Sequence, residues 1–341
     1  MKACLLKKIC DLNTENNPLI IEEIPEPVPG IGEVLVKVST CGVCHTELDE
    51  IEGRTPPPVF PVVPGHQVIG RIEVLGKGVK NLKLNDRVGI GWIYSSCGLC
   101  EYCIEGNDNL CPDFRATGRD VNGGYGEYIV VPEKSAFLIP EVFSDSESAP
   151  LLCAGAIGYR SVKLAHLKNG QSFGLTGFGA SAHLVLKMVK HKYPDSKVFV
   201  FARSEKEREF AVQLGADWIG NTTDESPEKL NSIVDTTPVW MPVVEGLKNL
   251  KPNGRLVINA IRKEDIDKNY LLKIDYPEHL WMEKEIKTVA NVSASDISEF
   301  LQLAAELNLK PDYQEYALEE ANIALMELKQ RKIKGAKVIK L

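Results

Sequence analysis

Ser172-Phe173-Gly174-Leu175-Thr176-Gly177-Phe178-Gly179-Ala180-Ser181-Ala182 reads as a strand, a tight glycine turn and the opening of a helix. The helical pattern continues from Ser181 to His191. The turn fits G-x-G-x-x-G/A. Gly177 makes the turn, Gly179 lets the backbone approach a pyrophosphate, and Ala182 takes the close-packing place. Context gives the motif its weight. Lys197 to Phe201 is a second strand, Glu205 to Leu214 a charged helix, and Ser232–Asp235 and Arg255–Ile258 are further strands. Such alternation implies a doubly wound parallel sheet with helices on both faces. Gly177, Phe178, Gly179, Ala180, Ser181 and Ala182 are therefore the expected cofactor-binding turn.

The end of the second strand bears on which dinucleotide binds. A site for NAD places Asp or Glu there, to accept bonds from the ribose 2′-hydroxyl. Here that position is Ala202, followed by Arg203 and Ser204. Loss of the acid removes repulsion of a 2′-phosphate, and Arg203 and Ser204 offer it charge-assisted and hydroxyl bonds. The sequence thus predicts NADP(H) in preference to NAD(H).

Upstream of Cys153 the character changes. Glu33–Val38, Val68–Leu75, Asp86–Ile90 and Tyr125–Val131 are short β-type runs separated by Gly and Pro. They predict a partly closed, β-rich domain. The tail from about Asn291 carries two helical patterns and a final strand-like Ala336–Ile339. The expected division is 1–153 with 291–341, and 154–290 for the nucleotide-binding domain. The chain's 341 residues are enough for two domains. Its formal charge of −7 lacks the basic field of a nucleic-acid or anionic-membrane binder. No apolar run reaches the length of a membrane span. Met1 to Lys8 is too short and interrupted for a signal peptide, so the cytoplasm is the expected compartment.

Nine cysteines in such a chain call for a reason other than disulfides. Cys97-x2-Cys100-x2-Cys103-x7-Cys111 supplies one. Four thiolates around a tetrahedral ion need close pairs and a return. Bacterial iron–sulfur runs end C-x3-C-P; Pro112 does follow Cys111, but the last gap here is seven residues and no second cluster run exists. Zinc is the expected metal, held in a lobe at about 92–113. A closed four-sulfur site has no open position, so its role is structural.

Cys44 and His45 follow a strand, His66 precedes one, and Cys153 stands where the two halves meet. Alone, a buried Cys is usually a small hydrophobe and a His more often a satisfied polar residue than a ligand. Two thiolates and an imidazole together would suit a catalytic zinc, which keeps a fourth position open. Gly42-Val43-Cys44-His45-Thr46-Glu47-Leu48, Pro64-Gly65-His66, the four-cysteine lobe and Leu151-Leu152-Cys153-Ala154-Gly155 resemble the zinc-dependent medium-chain alcohol dehydrogenases across essentially the whole chain. Cys153's surroundings and the Gly177 turn look most like the bacterial, cinnamyl-alcohol-dehydrogenase-like branch.

The resemblance implies a GroES-like catalytic domain and a Rossmann cofactor domain, with two zinc ions per chain. It assigns Cys44, His66 and Cys153 to the catalytic zinc, and Cys97, Cys100, Cys103 and Cys111 to the structural one. Thr46 matches the hydroxyl that bonds the alcohol oxygen and starts a proton relay. His45 matches a position that touches the cofactor pyrophosphate, and Trp92 an aromatic near the substrate. Glu47 is the expected partner of the second His66 nitrogen. Cys4, Cys10 and Cys41 are left to packing. Two positions depart from the family: Gln67 replaces an acid that can act as a transient anionic ligand, and Asp49 replaces a relay histidine.

The implied reaction is reversible hydride transfer between a primary alcohol, aromatic or medium-chain, and NADP, with zinc acting on the substrate oxygen. A polyol or secondary-alcohol dehydrogenase is the alternative within the fold. From another class, a silent, zinc-stapled nucleotide-binding redox sensor would bind cofactor without turnover. Relatives form dimers or tetramers, commonly through the edge of the nucleotide-binding sheet, so a homo-oligomer is expected.

Overall fold

Val34, Val36 and Val38 alternate along a segment whose other face is also covered, as Leu35 shows, and this segment becomes the hub of the first sheet. In the computed structural model, which describes residues 1–330 and 335–341, the hub strand is Glu33–Val43. It pairs antiparallel with Val68–Leu75 along its length, with Tyr128–Pro132 at its start and with Ala336–Lys340 at its end. Arg87–Ile90 and Ala136–Leu138 extend the sheet on one side, and Tyr313–Ala317 closes the other. The expected strand at Glu33 runs five residues further and delivers the chain to Cys44. The expected strand at Tyr125 starts instead at Tyr128, because Tyr125 is a fully buried ring wedged against Gly65.

Ile93–Ser95 and Arg115–Ala116 form a two-stranded ribbon at the base of the four-cysteine lobe. The lobe itself holds only a four-residue helix, Glu101–Ile104, and a short 3-10 turn, Asp108–Leu110. It exposes Leu99 and Ile104, so it has little apolar core of its own.

The second sheet is parallel. Its strands are β1 (Phe173–Thr176), β2 (Val198–Phe201), β3 (Trp218–Gly220), β4 (Leu230–Asp235), β5 (Leu250–Ile258) and β6 (Glu285–Thr288). Their order is β3-β2-β1-β4-β5-β6, the doubly wound order in which direction reverses between β1 and β4. β1 and β2 are buried along their whole length, as a strand covered on both faces must be. Helices Ala180–Lys192, Glu205–Gln213 and Met241–Asn249 connect them. The fold is thus the GroES-like and Rossmann pair that the sequence implies.

Two compact units emerge: residues 1–156 with 292–341, and 157–291. The first turn of the helix Ala154–Ala165 counts with the first unit because Gly155 lies against the Phe300 ring. Among the described residues no helix is long and apolar enough to cross a membrane.

Candidate active site

The hub strand ends at Val43, and Cys44 becomes the N-cap of the helix His45–Ile51. The Thr46 amide lies 3.5 Å from Cys44 Sγ, and Glu47 Oε2 accepts from the Cys44 amide at 2.7 Å. This reciprocal cap fixes where the Cys44 sulfur points. His66 arrives on the neighbouring strand entry, held in register by the Gly42 amide bonding to the Gln67 carbonyl at 2.9 Å. Gly65 makes that entry possible: its φ is +96°, and a Cβ there would sit 2.4 Å from the Tyr125 ring. Cys153 ends the 3-10 turn Ala149–Leu152.

These three residues meet. Cys44 Sγ and Cys153 Sγ are 4.0 Å apart, and His66 Nε2 is 3.4 Å from Cys153 Sγ. All three ligand atoms lie within 4.8 Å of one another. A tetrahedral zinc with sulfur bonds of about 2.3 Å sets its sulfurs roughly 3.8 Å apart, so the spacing fits. No fourth Cys, His or carboxylate joins the group among the described residues. Three donors leave a position for an exchangeable oxygen ligand.

The electrostatics suit a cation. The contact between the Cys153 and Cys44 sulfurs, against the cost of burial, holds the Cys44 pKa well below the usual thiol value. The Cys153 pKa is driven well up by that same contact and by burial. Zinc is bound by thiolates, so a site that already favours one thiolate beside an imidazole nitrogen suits a divalent cation. Burial works to lower the His66 pKa, but the Glu47 carboxylate overrides it and raises it well above 6.5. Glu47 Oε1 is 2.6 Å from His66 Nδ1, leaving Nε2 turned toward the sulfurs. One buried carboxylate therefore orients two of the three donors, Cys44 through its amide and His66 through its ring.

Glu47→Gln leaves a single acceptor oxygen for two donors and aims an NH2 group at one of them. Expected is a loss of zinc affinity at this site of about 10–100-fold, read by competition with a chromophoric chelator. Unchanged affinity would mean that Glu47 only caps the helix.

The other predicted residues are placed as follows. Thr46 Oγ1 is 3.4 Å from Cys44 Sγ and nearly buried. His45 is exposed at the first helical position. Gln67 is buried, packed so closely against Gly42 that a Cβ there would meet it at 2.8 Å. Asp49 is buried and tied to Arg54, whose Nε donates to its Oδ1. Trp92 is buried, stacked on Phe114 at 5.2 Å with the Arg119 guanidinium over its ring. Its indole N–H has no acceptor among the described residues. Cys4 and Cys41 are fully buried and Cys10 half-buried.

Two residues escaped the sequence reading. Arg54 lies beyond the helix end, where no periodicity points back to Asp49. Glu50 is fully buried one turn after Thr46, with neither carboxylate oxygen bonded among the described residues. Burial, then the neighbouring Glu47, pushes its pKa well above the usual carboxylate range.

Cys97, Cys100, Cys103 and Cys111 also gather their sulfurs within 4.8 Å, Cys97 and Cys103 at 3.9 Å. Backbone amides of Leu99 and Cys100 donate to Cys97 Sγ at 3.5 and 3.4 Å and hold its pKa down to about 6. Amide donors around a sulfur stabilise thiolate, the form that binds zinc.

In the second unit, Gly177 bonds to the Phe201 carbonyl and Gly179 caps the helix Ala180–Lys192 with no side chain. An added Cβ on Gly179 would meet nothing within 4 Å, so the space beside this helix N-cap is open. Phe178 is buried edge-on against Phe210 and serves the core. Ser181 Oγ accepts from Asn259, and Ala182 is fully buried. Ala202 is buried beside the β2 end, while Arg203 is exposed with no side-chain partner among the described residues. Arg208 braces this corner by donating to the carbonyls of Ala202 and Arg203.

Residues 30–141 match the family model described as the alcohol dehydrogenase GroES-like domain. A Mycobacterium tuberculosis protein named "Probable alcohol dehydrogenase AdhA" is 36% identical, covering 99% of this chain and 97% of its own length. An alcohol dehydrogenase of Geobacillus stearothermophilus is 32% identical over 98% of this chain and 99% of its own. Among solved structures, a cinnamyl alcohol dehydrogenase of Sorghum bicolor superposes with a TM-score of 0.86 at 27% identity, covering 99% of this chain and 97% of its own. These relatives lend no support to a binding-only sensor.

Proposed function

Because this chain belongs to the zinc-dependent medium-chain alcohol dehydrogenase family, we propose that its substrates are primary, aromatic or medium-chain alcohols and their aldehydes, with NADP(H) as the preferred cofactor. Alcohol dehydrogenase activity with zinc and a nicotinamide dinucleotide is common ground for the family. Two zinc ions per chain, the substrate class and the choice of dinucleotide are the finer reading.

The observation that carries the two-zinc reading is the contrast between the two metal-ready groups: a closed set of four sulfurs, and an open set of Cys44, His66 and Cys153. The first would hold a structural ion and the second a catalytic one. When bound, zinc supplies Lewis acidity toward the substrate oxygen, and the nicotinamide gives or takes the hydride. The chain's own residues manage the proton and the orientation. Thr46 Oγ1, beside Cys44, accepts the hydrogen bond of the substrate hydroxyl and passes a proton on. Glu47 keeps His66 Nε2 and Cys44 Sγ convergent. Gln67 carries no charge, so it cannot stand in as an anionic ligand. Asp49 keeps its assigned place in the relay, but its bond to Arg54 must loosen before it takes a proton, which favours exit through water.

Arg203 and Ser204 would take the 2′-phosphate. Among the described residues the Arg203 side chain has no partner, and Ser204 caps its helix without a side-chain bond. Arg203→Ala is expected to raise the KM for NADPH about tenfold and to leave NADH almost unchanged, since a charged hydrogen bond is worth roughly 1.5–3 kcal/mol. Equal catalytic efficiencies for NADPH and NADH in the unmodified enzyme would overturn this assignment.

A cytoplasmic homodimer or homotetramer completes the proposal. Strand β6 is a sheet edge whose four residues are all exposed, and Trp281 and Met282, just before it in the chain, are exposed as well. Bare edges of this kind are usually covered. Sedimentation of the zinc-loaded protein as a monomer would remove that part of the reading.

A further inference from the structure

Lys263 lies on the loop after β5 with its side chain only 7% exposed, and all three of its ammonium donors are used. It bonds to Asp235 Oδ2, to the Thr237 carbonyl at 2.7 Å and to the Val239 carbonyl at 2.9 Å. Asp235 ends β4 and is fully buried. Its Oδ1 accepts from Thr176 Oγ1 at 2.6 Å, and from the amide and hydroxyl of Thr237 at 3.2 and 2.8 Å.

The pair therefore ties three segments. Thr176 is the last residue of β1, directly before the glycine turn. Thr237 and Val239 lie in the loop after β4. That loop presses on the turn itself: a Cβ on Gly177 would meet Thr237 Cγ2 at 2.8 Å. The loop after β5 clamps it again, since the Glu264 amide bonds to the Pro238 carbonyl at 2.7 Å and Asp267 accepts the amides of Trp240 and Met241.

Position in the sheet gives the lock its meaning. Strand order reverses between β1 and β4, and a dinucleotide lies across that point. The β1-β2-β3 half, which carries Arg203, takes the adenosine end. The β4-β5-β6 half takes the other mononucleotide.

We propose that Asp235 and Lys263 form a positioning lock for the nicotinamide half of the cofactor, shaping the loop after β4 and holding it against the glycine turn. The inference rests on the reading of Gly177–Ala182 as the dinucleotide turn. With its donors spent, Lys263 does not touch the cofactor; it acts through the loop.

The test is ligand binding to the zinc-loaded full chain, with NADPH beside 2′,5′-ADP and 5′-ADP, which occupy only the adenosine half. Lys263→Met is expected to raise the Kd for NADPH about tenfold or more. The affinity for the adenine fragment should stay within about twofold, as for an independent site. Asp235→Asn keeps the shape and one acceptor oxygen; it should show the same split at smaller size, and decides the matter if Lys263→Met does not fold. Parallel weakening of NADPH and fragment, or unchanged NADPH affinity, overturns the lock. Failure of the NADP reading shows separately, as an unmodified chain that prefers 5′-ADP to 2′,5′-ADP. The split is then read with NADH.

Discussion

Cys44→Ser is expected to yield a folded chain that keeps one zinc and loses turnover by about 10³-fold or more. The size follows from the several kcal/mol that a Lewis acid contributes to the transition state, at roughly tenfold per 1.4 kcal/mol. The folded state should survive because Cys44 is an N-cap whose sulfur faces the Thr46 amide. Serine is among the preferred N-caps, so the helix His45–Ile51 keeps its start. The Glu47 bond to the residue-44 amide is also untouched, since it uses backbone. The substitution thus separates metal binding from architecture. Metal analysis with a kinetic assay checks it; a variant that retains both ions, or turns over at the parent rate, removes Cys44 from the catalytic set.

Cys103→Ser acts on stability instead. The lobe between Ser95 and Arg115 has one turn of helix, one 3-10 turn and exposed Leu99 and Ile104. Its nearest apolar cluster, Trp92, Ile93 and Ala116 with Phe114, sits at its base rather than inside it. A segment with so little core would depend on a bound ion for its structure. Expected is loss of the second zinc, a cost of about 4 kcal/mol or more, and rapid proteolytic nicking between Cys97 and Cys111. Unaltered protease resistance in a variant lacking that zinc would show that local packing alone holds the lobe.

How much of this was legible in the sequence depends on distance along the chain. The four sulfurs of the lobe lie within fifteen residues, and their spacing alone points to a metal. The glycine turn is equally local, and strand alternation around it predicts the parallel sheet. The proposed catalytic ligands are different. Cys44 and Cys153 are 109 positions apart, and only resemblance joins them before the fold does. Strands β3 and β6 went unread because they are short, and β6 is an exposed edge with no buried alternation. Tyr313–Ala317 was missed for the same reason. The Glu47 contact with His66 was foreseen because a ring nitrogen opposite a metal needs an acceptor. The Lys263–Asp235 lock was not, because nothing in either residue's neighbours marks it for burial.

The most direct measurement is NADPH consumption with cinnamaldehyde by the zinc-loaded enzyme, run beside NADH and beside Cys44→Ser. The account predicts turnover that favours NADPH and disappears in the variant. Cofactor binding without turnover, in folded protein carrying two zinc ions, would contradict it.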